Sequence, residues 1–337
     1  MSYKRLDRED ITISAEAIVR PAWTNQTTTL TSLYTSSTQQ ADTLEYYKEV
    51  YNQDPALDAA AEIQLSVAYG HRFGSGSTAI TDLVDGKSPS SLIYGQYRTL
   101  VNGDENTDFI FGTHIPDDIV ILNVDRSKYK ERLKEGSLNL TLVSGSNTLE
   151  LTDNSGTITN NVVSYTDAGR VYDIVSGSNG IPFTGTGFTV NSGSYGKFLP
   201  DIGVVILNVD ALKGTVTDGG IGMVVNQASS LTAQPFRNTD EFYKVIDEIS
   251  LQSEETVTSN YVFIRARNND FNYSTNPSIM TSEGELRFTV LVNSPQTYVT
   301  TVGLYNDANE LLAVAKLSRP LLKDFTREAL FRIKLDF

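Results

Sequence analysis

The chain has 337 residues, no cysteine and two histidines, His71 and His114. That length points to about two domains with a core large enough to fold without covalent or metal staples. The missing cysteines exclude disulfide scaffolds, thiolate-bound zinc, iron–sulfur clusters and thiol catalysis, and 27 Lys and Arg against 41 Asp and Glu give a net charge of −14 that opposes binding to nucleic-acid phosphates and anionic membranes.

The first residues, MSYKRLDREDITIS, carry charge and no apolar run, so they do not read as a secretory signal. No window approaches the ~20 consecutive apolar residues of a transmembrane helix. Serine and threonine number 31 and 36, one fifth of the chain, beside 10 prolines, a β-leaning and turn-rich profile. Residues 1–40 read as an extended N-terminal arm. The Thr- and Ser-rich run from Thr24 to Gln40 has too little apolar surface to offset its chain entropy alone, so it is either mobile or ordered by a neighbouring chain.

Between Ala41 and Gly70 the spacing of Leu44, Tyr47, Val50 and Tyr51, and then of Ala59, Ile63 and Val67, predicts two short helices separated at Asp54-Pro55. Strands are predicted over Ser91–Leu100, Asp108–Phe111 and Asp118–Val124, and one or two helical turns over Asp125–Leu133. From Ser137 to Val190, short runs of β-formers alternate with turns such as SGSN, TDNSG and TDAG at ~8–12-residue spacing, which predicts a compact inserted β-domain over 137–198. The text Ile121-Leu-Asn-Val-Asp125 recurs as Ile206-Leu-Asn-Val-Asp210. Either it is a buried strand used twice, its copies pairing on either side of the insertion, or it is a chance match; two copies do not make a solenoid.

In the last third, Asn238–Ile249 reads as a helix. Strands are predicted over Asn260–Arg267, Glu285–Val292, Val299–Tyr305, Glu310–Leu317 and Leu330–Phe337, with Asn306–Asn309 as a hairpin turn. The expected fold is mainly β, a β-rich α+β arrangement of β-sandwich-like domains with a few short helices. The main domain comprises 41–136 and 199–337, with 137–198 inserted in it.

The chain carries few marks of chemistry. GSGST at Gly74–Thr78 and GSYGKF at Gly193–Phe198 lack the Gly-Lys-Ser/Thr of a phosphate loop. Ser66 and Ser75 sit in no G-x-S-x-G elbow. His71 and His114 read as structural or surface histidines. Asp104-Glu105 and Glu254-Glu255 read as solvated pairs rather than glycosidase carboxylates, and DENTD at Asp104–Asp108 lacks calcium-loop spacing. No cofactor, no metal and no catalytic residue is predicted. Tyr261, Phe263, Arg265, Arg267, Phe271 and Tyr273 combine aromatic and Arg side chains as protein interfaces do. With Leu304 and Tyr305 they form the candidate subunit interface.

Four stretches carry a family resemblance. They are IYGQYRTLVNGDENTDFIFG (Ile93–Gly112), YTDAGRVYDIVSGSNG (Tyr165–Gly180), SLQSEETVTSNYVFIRARNNDFNYSTNPS (Ser250–Ser278) and the closing segment Pro295–Phe337. These resemble virion structural proteins of contractile-tailed, T4-like phages, the myoviruses of marine cyanobacteria in particular. VTTVGLYNDANELLAVAKL, with Gly303, Leu304, Tyr305 and the later Pro320, is also similar to a hairpin motif of tail-collar and fibre proteins. The resemblance implies a place in the virion, with partners that are other copies of the chain and other phage virion proteins, and no nucleic acid or membrane. No repetitive shaft is present, so a tail or baseplate component is expected before a fibre. A neck or head-decoration protein, and an adhesin whose 137–198 region with Tyr165 and Tyr172 meets host glycan, are the alternatives; a glycan hydrolase is the enzyme reading.

Overall fold

The computed structural model describes residues 5–35, 47–76, 88–157, 163–183, 194–225, 237–274 and 276–336. They fall into two compact units. The larger spans Ile18–Glu255; the smaller joins Met1–Ala17 to Thr256–Phe337. The fold is β-rich, as the sequence predicts, with four α-helices among the described residues.

In chain order, the elements up to residue 124 are β1 (Ile11–Pro21), β2 (Thr29–Leu30), β3 (Tyr34–Thr35), β4 (Tyr47–Tyr51), β5 (Ile63–His71), α1 (Pro89–Asn102) and β6 (Asp118–Val124). Next come β7 (Arg132–Leu133), β8 (Asn139–Ser144), β9 (Asn147–Asp153), β10 (Ser164–Thr166), β11 (Gly169–Ser178), β12 (Ile181–Pro182), β13 (Gly196–Leu199) and β14 (Val204–Asn208). The last are α2 (Val209–Lys213), α3 (Arg237–Val245), β15 (Ile246–Ser250), β16 (Gln252–Ala266), α4 (Val290–Asn293), β17 (Thr297–Tyr305), β18 (Leu311–Lys323) and β19 (Ala329–Asp336).

The larger unit is organised by one sheet of 13 strands, with the path β2-β15-β8-β9-β11-β13-β14-β6-β5-β4-β3 and with β10 and β12 on β11. The duplicated text lies near its middle. β6 and β14 pair antiparallel with Ile121 opposite Ile206, Leu122 opposite Val205 and Val120 opposite Leu207. Both strands are apolar at successive positions because both faces are covered. Val120, Leu122, Val205 and Leu207 enter the main core with Trp23, Leu140, Phe198 and Phe242. Ile119, Ile121, Val204 and Ile206 enter a second core under α1, with Tyr94, Val101, Phe109 and Phe111.

Several predicted elements differ from those observed. The two helices expected between Ala41 and Gly70 are strands β4 and β5; their connection is built from Asx turns, in which Asp54 and Asp58 accept from the N–H groups of Ala56 and Ala60. Leu44 lies outside the described residues. The strand expected over Ser91–Leu100 is helix α1. Ser88 caps it and accepts from Ser91 N–H, Pro89 opens it, and Gly103 closes it in the left-handed region with φ 68°. Its Tyr94 backbone approaches β5 closely, because a Cβ on Gly70 would lie 3.0 Å from Tyr94 N. Asp108–Phe111 forms only a bridge from Phe111 to His114, although Phe109 and Phe111 are buried. The helix expected over Asn238–Ile249 gives way at Ile246 to β15. Glu285–Val292 is not a strand: Leu286 makes a single bridge to Met280, and α4 begins at Val290.

The domain division differs too. β8, β9, β11 and β13 belong to the same sheet as β4–β6, so the 137–198 region is part of the larger unit. The N-terminal segment, expected as an arm, is built into the fold over its described part. β1 spans 11–21, and Trp23 is 1% exposed and donates its indole N–H to the Ile249 carbonyl at 3.1 Å. Residues 36–40 lie outside the described residues.

In the smaller unit β16 pairs antiparallel with β19, from Ser259 opposite Asp336 to Ala266 opposite Ala329. β17 and β18 form a separate two-stranded sheet, closed by the Asn306–Asn309 turn in which Asn306 accepts from Glu310 N–H. The predicted turn thus joins β17 to β18, while β19 goes to β16.

Candidate functional site

Two regions carry chemistry or surface beyond what simple packing needs. The first is a polar network at one end of β5 and β6 that contains both histidines of the chain. Asp118, at the start of β6, is wholly buried. It accepts from Tyr69 Oη at 2.5 Å, faces His71 Nε2 at 3.4 Å, and forms an ion pair with Lys213 on α2. Lys213 also reaches Asp210 at 3.1 Å, and Asp210 meets His114 Nε2 at 2.9 Å. The order is His71–Asp118–Lys213–Asp210–His114.

The other face of His71 fixes its tautomer. Its Nδ1 accepts from the N–H groups of Phe73 at 3.0 Å and Ser75 at 3.1 Å. The ring proton is therefore on Nε2, towards Asp118. The turn held this way is tied to α1, since the Ser88 and Ser90 hydroxyls donate to the carbonyls of Gly74 and Ser75. The glycines of GSGST thus serve a helix-entry turn.

Charges respond to this packing. Burial lowers the His71 pKa below 6.5, against the pull of Asp118 and Asp117. Burial, with the neighbouring charge of Asp118, raises that of Tyr69. Burial opposes the Lys213 ammonium, but its hydrogen bond to Asp118 and the two carboxylate charges prevail and raise its pKa. Burial likewise opposes the Asp210 carboxylate, and the His114 hydrogen bond and Lys213 overcome it and lower its pKa. The network joins a buried carboxylate to a cation and fixes α2, β5 and the 71–76 turn to one another.

The other acidic spots are similarly engaged. Glu254 pairs with Arg132 at 3.0 Å; Glu255 pairs with Lys130 at 2.8 Å and Arg20 at 3.4 Å. Asp104 accepts from Asn106 N–H and the Thr107 hydroxyl, which lower its pKa. Among the described residues no group of three or more His, Asp or Glu side chains is placed to hold a metal ion.

The second region is the surface of the smaller unit, where all eight residues of the candidate subunit interface lie. Tyr261, Phe263 and Arg265 alternate along β16, opposite Lys334, Arg332 and Leu330 of β19. The Arg332 guanidinium stands 4.3 Å from the Tyr261 ring centroid. Arg265 is committed within the chain, donating twice to Glu328 Oε2 at 2.6 and 3.1 Å. Arg267 and Tyr273 are exposed. Phe271 and Leu304 are partly buried instead, and Phe271 packs on the small core of Ala266, Ala329 and Phe331. Tyr305 is exposed at the end of β17.

Sequence reading missed the larger apolar surface beside these residues. Leu312 and Val314 of β18 face outward, alternating with the half-buried Ala313, Ala315 and Leu317. Leu286, Phe288, Val290 and Val292 are exposed as well. Their period-two spacing was the available signal, since it marks a strand with one face to cover.

The smaller unit also holds a fully buried lysine. Lys323 Nζ donates to the Asn268 carbonyl at 3.1 Å, Asn272 Oδ1 at 2.8 Å and the Asp324 carbonyl at 3.1 Å. Its three N–H donors are thereby matched to three oxygens, which ties the loop after β16 to the end of β18.

Comparisons with protein-family models, with curated proteins and with solved structures give no match to this chain.

Proposed function

We propose that the chain is a structural component of a bacteriophage virion, a tail or baseplate protein that acts through subunit–subunit assembly. The virion location comes from the four resembling stretches. The assembly role is supported by one observation, the uneven division of charge and core between the two units.

Residues 18–255 hold 15 Lys and Arg against 29 Asp and Glu, so the larger unit carries the whole net charge of −14. The smaller unit holds 12 of each and is neutral. Among the described residues its buried apolar side chains are few: Val262, Ala266, Ala329, Phe331 and Ile333. Yet 13 large apolar side chains between Thr256 and Asp336 are exposed. A unit with a small core, no net charge and abundant exposed apolar surface resembles one side of an interface more than a free-standing domain.

Immunogold labelling of purified particles with antibody to this chain tests the proposal. Label at the tail end agrees with it; particles that carry none of the chain contradict it.

A further inference from the structure

The smaller unit presents two exposed surfaces whose chemistry is complementary. One is the run Glu283–Val292. Leu286, Phe288, Val290 and Val292 alternate along it and are 39–74% exposed, and Glu283 and Glu285 lie at its start. The other is the outward side of the β17–β18 sheet. There Leu312 is 68% and Val314 56% exposed, and Lys316 and Arg319 follow on the same strand. Gly303, opposite Val314, leaves a shallow place bordered by the Tyr305 ring, 2.8 Å from where a glycine Cβ would stand.

Among the described residues, none of Glu283, Glu285, Lys316 and Arg319 makes an ion pair, and each is exposed. Glu283 and Glu285 outweigh Arg287 and leave the first run net acidic, while Lys316 and Arg319 make the second basic, so the two are complementary halves. Every copy of the chain carries both.

We propose that the Glu283–Val292 run of one copy docks on the outer β18 face of a second copy, reciprocally, and that this face is a homodimer interface. Reciprocity makes the contact isologous and closed, so it yields a dimer and not a filament. The run pairs through the Leu286–Met280 bridge and turns helical at Val290, and a second copy supplies apolar groups against its exposed side chains. A two-stranded sheet is marginal alone, and the added layer stabilises it.

Electrostatics favours a second copy as the occupant. A contact confined to the neutral unit sets no net charge against net charge, whereas a like contact through the larger unit opposes −14 to −14. A strongly basic partner would be drawn to the larger unit instead. The size is also suitable. Each large apolar side chain at these exposures offers on the order of 100 Å². Six of them on each copy, with the flanking charges, approach the ~800 Å² per partner of a standard interface.

The proposal deepens the assembly reading and rests on it, but it is tested on the pure chain and so can fail by itself. Sedimentation velocity of the full-length protein from 1 to 100 µM at 0.15 M salt is expected to show a monomer–dimer equilibrium. Phe288→Glu with Val314→Glu is expected to weaken it at least tenfold. Lys316→Glu with Arg319→Glu is expected to weaken it similarly, and adding Glu283→Lys with Glu285→Lys is expected to restore most of the loss. That rescue also separates a broken interface from a misfolded chain.

A protein that stays monomeric at 100 µM overturns the proposal, even if virions carry the chain. So does a dimer indifferent to the Phe288 and Val314 changes, or charge reversals that fail to rescue one another. A monomer that pairs only with a different virion protein gives the face another occupant and overturns it equally.

Discussion

Lys213→Met separates the ion pair at Asp118 from the packing around it. Asp118 is wholly buried, and it accepts from the Tyr69 hydroxyl and faces His71 as well as Lys213. Methionine keeps most of the side-chain volume and removes the ammonium. The carboxylate then remains in a low-dielectric site without its cation, a change that costs about 3–5 kcal/mol in comparable buried pairs. Lys213 is 28% exposed on its side chain, so water offsets part of this and about 3 kcal/mol is the working figure. For a unit of this size that corresponds to a fall in Tm of roughly 6–12 °C. Thermal unfolding followed by near-ultraviolet circular dichroism measures it. The decisive variant is the double change Lys213→Met with Asp118→Asn, which removes the stranded charge and should recover at least half of the loss. A single-variant loss under about 1 kcal/mol, or losses that simply add in the double variant, would refute the assignment of this network as a coupled ion pair.

Other outcomes follow from the same physics. Because His71 has a lowered pKa in the fold, the unfolded chain binds the extra proton first; its stabilisation is complete above pH 6.5 and is lost as pH falls from there through the folded value. Urea midpoints should decline over that window, and His71→Asn, which keeps an acceptor for the 73 and 75 N–H groups, should flatten the decline. Lys323→Met leaves three oxygens around a buried site without donors, at a cost of about 2–4 kcal/mol. Limited proteolysis should then cut faster at 267–274 and 323–328, with the 139–208 region unaffected. Gly70→Val puts side-chain atoms against the Tyr94 backbone and Ile119, 3.0 and 3.1 Å from the first added carbon, and should cost about 1–3 kcal/mol in the same urea titration.

How much of this was legible in the chain depends on whether the signal was local. The ILNVD strands could be read because residues buried on both faces form a continuous apolar run, and the two copies do pair with each other. Helix α1 could not be read from its interior, where Tyr94 and Tyr97 favour strands; its capping residues Ser88, Pro89 and Gly103 held the information. β5 was obscured by the helix-favouring Ala59–Ala61 just before it, and burial of Leu65 and Val67 in the main core outweighs that propensity. Asp118–Lys213 joins residues 95 apart, and two of the three Lys323 acceptors lie on the loop after β16, so neither had a sequence signature. The candidate interface residues all lie in the smaller unit, and Phe271 among them is spent partly on that unit's own small core. Leu286–Val292 shows the reverse case. Its strand pattern is plain, yet among the described residues it pairs only through the Leu286–Met280 bridge.

A cryo-EM map of the intact particle tests the central claim, that the neutral unit is an assembly surface, most directly. The account predicts that the chain is found in the tail machinery with Leu286–Val292 and the Leu312–Val314 face covered by protein. A particle without the chain, or one in which those side chains meet only solvent, would contradict it.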